Sequence, residues 1–557
     1  MTSSRLLLLL GPCVWASAAA GQTIVPPQAD ISRQRVTPLP LPDPGVDLRI
    51  LNPERAEVPR AVDELAFTIR KIAVSGATLI SDAELAAIFG PLEGQRIVLD
   101  DLRRAAEGLE ARYRSRGYFL TRVFVPPQAV RDGTLEVRVV EGYIGEVTVQ
   151  APNEASRRLG AGRVGPITAR RPVRLVDLET PLLLLNDVPG VQATGVLKPG
   201  LGLGTSELLL TMARRPTQSY ASISNFAPDT VGPLTFTAGT SLSQPFGGPG
   251  SLDLSVNLAG ERAEELQAVS ARYAMPLGTR GIVASLGLVV ARAAPGAEVT
   301  DLGIRSRSTS GTVRVRFPLV RQRAHALFLD LGLTINRSRV SALDEPITKD
   351  RSSVADLAVA WRQVGWLGGD MTARVGLAQG LLLFGANNSS APLPSVFGFS
   401  PQFTRLTYSL QRNQPVHGNL SAGLTVLGQH TRSRLLSGEQ VMFGGNLIGR
   451  GYDPSQLIGD RGIGVLGEMR LNVPAWTRRG RLDNVQLFLF GDWAEARVNP
   501  LPGQDAVVGR LASLGGGVRA LLLKRVMVDA HVASARRRLS PLVPRGERVN
   551  VTATLLF

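Results

Sequence analysis

Arg548-Val-Asn-Val-Thr-Ala-Thr-Leu-Leu-Phe557 alternates apolar and polar residues with a period of two and stops on an aromatic. Val549, Val551, Ala553, Leu555 and Phe557 fall on one face of an extended segment, while Arg548, Asn550, Thr552 and Thr554 fall on the other. A strand with those two faces suits a wall that has hydrocarbon outside and water inside, as in an outer-membrane β-barrel. An amphipathic strand of a soluble sandwich is the lesser alternative, and the residues upstream must decide.

Working back from that strand, helical periodicity is absent until about residue 218, and amphipathic segments separated by turns take its place. They lie at 218–226, 233–245, 251–261, 266–275, 281–294, 308–318, 325–337, 352–363, 369–381, 402–412, 418–431, 463–473, 484–496, 509–522, 525–536 and 548–557. Sixteen is an even number, as a bacterial barrel requires. In 325–337, Leu327, Leu329, Leu331, Leu333 and Ile335 share one face, and Asp330, Thr334 and Asn336 the other. Hydrophobic residues make up 44% of the chain, yet no run of about 18 to 20 consecutive apolar residues follows the first twenty, which excludes a helical membrane protein. Strands that set every second residue against lipid explain both facts. The 59 glycines fit barrel strands and turns, although aromatics at 5% are thin for interfacial girdles.

The 557 residues exceed one ordinary core. Arg5, an apolar run and the small residues Ala16-Ser17-Ala18 mark 1–20 as a secretory signal peptide, which holds the lone Cys13. Residues 21–64 are proline-rich and read as a linker, with room for a short plug helix near 28–35. Order begins at 65. A first module, 65–148, runs strand, helix, helix, strand, strand; Ser81 and Glu84 form a capping box, and Leu102, Ala106, Leu109 and Tyr113 make one buried helical stripe. The same order repeats over 149–215, and the barrel occupies 216–557. The fold class is thus α+β modules followed by an all-β, 16-stranded antiparallel transmembrane barrel.

The formal charge of +16 invites a nucleic-acid reading, but the arginines recur at alternate strand positions instead of clustering among stacking aromatics. Lining of a water-filled pore, or attraction to outer-membrane lipid and lipopolysaccharide, suits that pattern better. Four scattered histidines offer no metal site, Gly200-Leu-Gly202-Leu-Gly204 lacks a phosphate-loop lysine, and no Gly-x-Ser-x-Gly is present. Neither a cofactor nor an enzymatic activity is expected.

One connection breaks the pattern. Residues 432–462 form a segment too long for an ordinary barrel turn, and its apolar, glycine-framed stretch Val441-Met-Phe-Gly-Gly-Asn-Leu-Ile448 suits a loop folded back into the lumen. Its centre, Gly449-Arg450-Gly451-Tyr452, resembles the sixth extracellular loop of the outer-membrane assembly-factor superfamily, with Gly449 where the family motif has valine. The partner motif, Phe-x-Asp, stands as Phe490-Gly491-Asp492, and alternation along 484–496 turns Phe490 and Asp492 toward the lumen. An ion pair between Arg450 and Asp492 would lock the loop to the wall.

Tyr113-Arg-Ser-Arg-Gly117-Tyr118, Gln128, Asp132-Gly133 and Glu141-Gly142 resemble the first polypeptide-transport-associated (POTRA) domain of two-partner secretion transporters, the group of haemolysin activators and filamentous-haemagglutinin transporters. The resemblance implies an outer-membrane, type V translocator of a Gram-negative bacterium. Its periplasmic POTRA domains would capture an unfolded, β-rich exoprotein by β-augmentation, and its gated barrel would export it. It also implies that Leu555 and Phe557 form a C-terminal signal read by the barrel-assembly machinery. An insertase for other barrel proteins is the alternative within the superfamily, and a passive porin lies outside it.

Overall fold

The computed structural model describes residues 45, 47–50, 66–128, 132–227, 231–260, 265–474, 482–539 and 546–557. The expected signal peptide, the plug helix near 28–35 and most of the linker lie outside the described residues. Within the linker stretch, β1 (Asp47–Ile50) is extended and pairs in parallel with a strand of the second module.

The first module contains β2 (Ala66–Thr68), β3 (Lys71–Ser75), α1 (Asp82–Phe89), β4 (Arg96–Val98), α2 (Leu99–Ser115), β5 (Arg122–Phe124) and β6 (Thr134–Val140). Ser81 and Glu84 close the capping box at the start of α1. Helix α2 buries Leu102, Ala106, Leu109 and Tyr113 against Ile72, Val137 and Val139 of the sheet, where β6 runs parallel to β3 and antiparallel to β5. Burial contributes about 2 kcal/mol for each such leucine, which is what holds so small a sheet together.

The second module begins at 143, six residues before the expected boundary of 149, because β7 (Tyr143–Gln150) pairs with its sheet; α3 (Glu154–Val164), α4 (Leu175–Asn186), β8 (Val191–Pro199) and β9 (Thr205–Arg214) follow, with sheet order β1-β8-β9-β7. Helix α4 starts at Leu175, where Asp177 accepts the Arg174 amide at 3.0 Å, and Pro181 is accommodated within the helix. Leu178, Leu182 and Leu185 of α4 pack on Leu208 and Leu210 of the sheet.

Sixteen strands then close on one another: β10 (Gln218–Ser224), β11 (Thr235–Ser243), β12 (Ser251–Ala259), β13 (Leu266–Leu277), β14 (Ile282–Ala293), β15 (Arg305–Arg321), β16 (His325–Ala342) and β17 (Glu345–Trp366), followed by β18 (Gly369–Leu381), β19 (Thr404–His417), β20 (Leu420–His430), β23 (Arg461–Asn472), β24 (Leu482–Val498), β25 (Val507–Leu522), β26 (Val526–Ala535) and β27 (Glu547–Leu556). A short hairpin, β21 (Val441–Phe443) with β22 (Leu457–Gly459), lies between β20 and β23 and belongs to the long loop. Every pairing in the barrel is antiparallel, and β27 closes on β10 with Leu555 opposite Ala221 and Thr552 opposite Ser224. Phe557 and Ser219 exchange both main-chain hydrogen bonds, at 2.9 and 3.0 Å. The alternation of β27 resolves as outside against inside: Val549 is 61% exposed and Asn550 only 1%. Leu555 and Phe557 are exposed on the lipid side. Among the described residues no helix is long and apolar enough to cross a membrane.

The second module is mounted on the barrel end formed by the β11–β12, β13–β14 and β15–β16 turns. Arg321, at the end of β15, grips Asp187 with two hydrogen bonds of 2.7 and 2.9 Å, and both side chains are buried. Arg214 donates to the carbonyls of Ser243 and Gln244, and Thr180 donates to that of Arg321.

Candidate functional site: the loop fastened inside the barrel

Beginning with local sequence, the loop 432–462 folds inward because its apolar residues find apolar patches of the wall to pack on. Val441, Phe443, Ile448, Tyr452 and Leu457 pack on Leu466, Phe488, Phe490, Ala494, Leu511 and Ala533, all inward-facing positions of β23 to β26. The wall is shaped to receive them. A Cβ at Gly515 would come within 2.5 Å of the Phe490 ring, so this glycine of β25 makes room for that ring. Gly451 sits against the backbone of β26, where a Cβ would lie 2.8 Å from the Ala535 amide nitrogen. Gly449 holds φ at +92°, a conformation that turns the chain into the motif.

Arg450 is 6% exposed, and its partners differ from those expected. The guanidinium meets Glu468 on β23, with Nη1 donating to Oε1 at 3.1 Å, and Nε donates to the Asn446 carbonyl at 3.2 Å. Its plane lies over the Phe490 ring at 4.4 Å. Asp492 binds the backbone instead: its carboxylate accepts the amides of Gly449 and Arg450, the latter at 3.2 Å, and the Ser513 hydroxyl at 2.5 Å. The expected Arg450–Asp492 side-chain ion pair is therefore corrected. Asp492 caps the turn that presents Arg450, and Glu468 takes the charge.

Glu468 is itself enclosed by cations, accepting also from Arg470 at 2.5 Å and from Arg519 at 2.7 Å. Arg519 continues to Asp529 at 2.7 Å, and Asp529 to His531 at 2.9 Å. Asn550, on the closing strand, donates to the Arg450 carbonyl at 3.2 Å. Tyr452 finishes the contact: its hydroxyl bridges the main chain at Ala512, within β25, and at Arg537, just past the end of β26. The structure thus brings Arg450, Gly451, Tyr452, Phe490 and Asp492 together.

A second attachment was not anticipated from sequence. Glu439, near the start of the loop, is 5% exposed and accepts from Asn336 at 3.0 Å, Ser352 at 2.8 Å and Arg405 at 2.9 Å. Its carbonyl accepts from Arg405 and from Gln429. Four wall strands, β16, β17, β19 and β20, converge on this residue, a set distinct from the β23, β24 and β27 strands that hold Arg450. Glu468 could have been found by parity, since it is the only carboxylate in β23 and shares the inward phase of Leu466 and Arg470. Glu439 and Ser513 carry no such signal.

The first-module motif residues lie far from the lumen. Tyr113 donates to Glu141 at 2.7 Å, and Glu141 also accepts from Thr78 and Leu79, tying α2 to the loop before α1. Burial and the adjacent Glu141 carboxylate push the Tyr113 phenol well above its ordinary value. Tyr118 packs edge-on against Tyr113, and the Gln128 side chain pairs with the main chain of Glu136. Asp132 and Gly133 adopt positive φ in the turn before β6. Gly117 and Gly142 accept the amides of Leu175 and Val173, so these two glycines join the modules to each other.

Residues 204–520 match the haemolysin secretion/activation protein family ShlB/FhaC/HecB, and residues 67–142 match the ShlB-type POTRA domain. This chain belongs to that family. As a member of it, the transporter is an outer-membrane protein of two-partner secretion, with POTRA domains on the periplasmic side. It is 24% identical over 438 residues to the heme/hemopexin transporter protein HuxB of Haemophilus influenzae strain 86-028NP, a match that covers 74% of each chain. It is 23% identical over 430 residues to the outer membrane transporter CdiB of Dickeya dadantii, covering 74% of this chain and 73% of that one. In fold the transporter is similar to CdiB from Escherichia coli, with a TM-score of 0.68 at 19% identity over 90% of this chain and 93% of the other. These relatives are transporters, and the sixteen-stranded barrel beyond POTRA modules is the architecture that the alternation of strands implied.

Proposed function

We propose that the transporter captures one unfolded exoprotein in the periplasm, through the sheet edges of its POTRA modules, and exports it through the barrel once the loop 432–462 leaves the lumen. Main-chain pairing at a sheet edge demands little of the client's sequence, which suits a long, repetitive β-forming chain. The observation that carries the reading is the fastening of the loop inside the barrel at two places, with Arg450 between Glu468 and Phe490 and Glu439 held by Asn336, Ser352 and Arg405. In a dry pocket these charge-assisted contacts hold the resting state closed, yet they are few enough for client binding to release.

The test is secretion from cells carrying Arg450→Ala or Asp492→Ala. Export is expected to fall while the barrel still inserts, judged by heat-modifiable migration; normal export by both variants would refute the loop as a gate. Deleting residues 65–215 separates this reading from a passive pore, because the deletion abolishes export by a translocator but spares a porin's conductance.

A further inference from the structure

On the outer face of the barrel, four strands carry a row of cations that export leaves unexplained. Register places Arg292 of β14 directly opposite Arg307 of β15, Arg307 opposite Arg339 of β16, and Arg339 opposite Lys349 of β17. One step toward the membrane centre, Arg337 stands opposite Arg351. All six are exposed, and among the described residues none has an ion-pair partner. The nearby Asp344, in the β16–β17 turn, is taken by Arg305 at 2.9 Å, while Asp350 is buried with the opposite phase.

The row has the phase of the lipid-facing residues. Along β14 the same face carries Leu286, Leu288 and Val290 before Arg292, and along β16 it carries Leu331, Leu333 and Ile335 before Arg337. It also lies at the end of these strands opposite to the POTRA mount, since Arg321 and the Thr279–Gly281 turn meet the second module at the other end. The cations therefore stand at the extracellular end of these strands, beyond the apolar residues that share their outward face.

Like charges directly opposite one another in a sheet are destabilising. At a strand spacing of about 4.8 Å, four in register extend over about 14 Å. A polyanion laid across them removes the repulsion, and guanidinium groups engage phosphate oxygens in pairs. We propose that this row is a binding site for the phosphorylated glycolipid of the outer leaflet, lipopolysaccharide. Its lipid-anchor phosphates lie across Arg292, Arg307, Arg339 and Lys349, and its acyl chains run down over Leu288 and Val290.

The experiment titrates the detergent-purified full-length transporter with bisphosphorylated lipid A, with its phosphatase-treated form, with phosphatidylglycerol and with inorganic phosphate, and reads bound lipid by native mass spectrometry. The phosphorylated form should bind about tenfold tighter or better than the dephosphorylated one and weaken steeply with salt. A variant carrying Arg292→Gln, Arg307→Gln, Arg339→Gln and Lys349→Gln should lose that preference, and Arg307→Gln with Arg339→Gln should lose much of it should the fourfold variant not insert. The comparison of lipids on the unaltered transporter needs no variant. Equal binding of the two lipid A forms, phosphatidylglycerol binding as tightly, competition by inorganic phosphate at stoichiometric concentration, or an unchanged preference in the inserted variants would each overturn the site.

Discussion

Arg450 and Asp492 touch through the main chain, and that detail decides how their substitutions differ. Removing the Arg450 side chain leaves Glu468 with Arg470 and Arg519, so no carboxylate is stranded, and the loss is that of one charge-assisted contact, about 1.5–3 kcal/mol. Arg450→Ala should therefore raise the open probability in planar bilayers while leaving barrel melting almost unchanged. Glu468→Gln leaves three guanidinium groups around a neutral amide and should lower the melting temperature of the whole barrel, measured by heat-modifiable migration. Equal melting of the two variants would contradict this division of roles. In the first module, Arg112 and Arg116 hold Glu84 down to about 2, from 4.5, and clamp α1 onto α2. Because the folded value is depressed, the clamp is complete above the unfolded value and is lost as pH falls from about 4.5 toward 2. Hydrogen exchange over 82–116, corrected for intrinsic rate, should speed up between pH 5.5 and pH 3 in the full protein, and Glu84→Gln should remove most of that change.

At the scale of elements, strands were legible because a period of two survives any tertiary context in which one face meets lipid and the other water. All sixteen were found in that way, and their ends moved by only a few residues, most at β17, which extends seven residues earlier and three later than the alternation indicated. The loop was legible as an exception of length and composition, and Gly451 shows why its motif tolerates no enlargement. Gly451→Ala places a methyl group against the backbone of β26, an overpacking that costs about 1–3 kcal/mol. It should increase conductance in the manner of Arg450→Ala; an unaltered conductance would show that the wall yields. The contact at Glu439 was not legible, because its partners are drawn from four strands spread over nearly a hundred residues. Glu439→Gln keeps one acceptor oxygen but surrenders the charge facing Arg405, so it should destabilise the closed loop without touching the Arg450 side. Its effect on opening should add to that of Arg450→Ala if the two attachments are independent.

Across the whole molecule, the buried pair Asp187–Arg321 ties the second module to the pore mouth. Arg321→Asp should abolish export by placing two carboxylates in a dry interface, a cost of about 3–5 kcal/mol, and the exchange Asp187→Arg with Arg321→Asp should restore part of it. Failure of the exchange while the barrel inserts normally would mean that the joint depends on geometry beyond charge. By itself the sequence determined the barrel, its strand count, the two modules before it and the face each strand residue presents, because those depend on periodicity and local capping alone. The long loop's inward course could also be inferred from its composition. Only the tertiary structure decided which carboxylate receives Arg450, that Asn550 of the closing strand supports the loop tip, and that cations from four strands line up on the outer surface. Those are facts of register, which each turn and each buried face set pair by pair, and which bring residues distant in sequence together only once all the strands are paired around the cylinder.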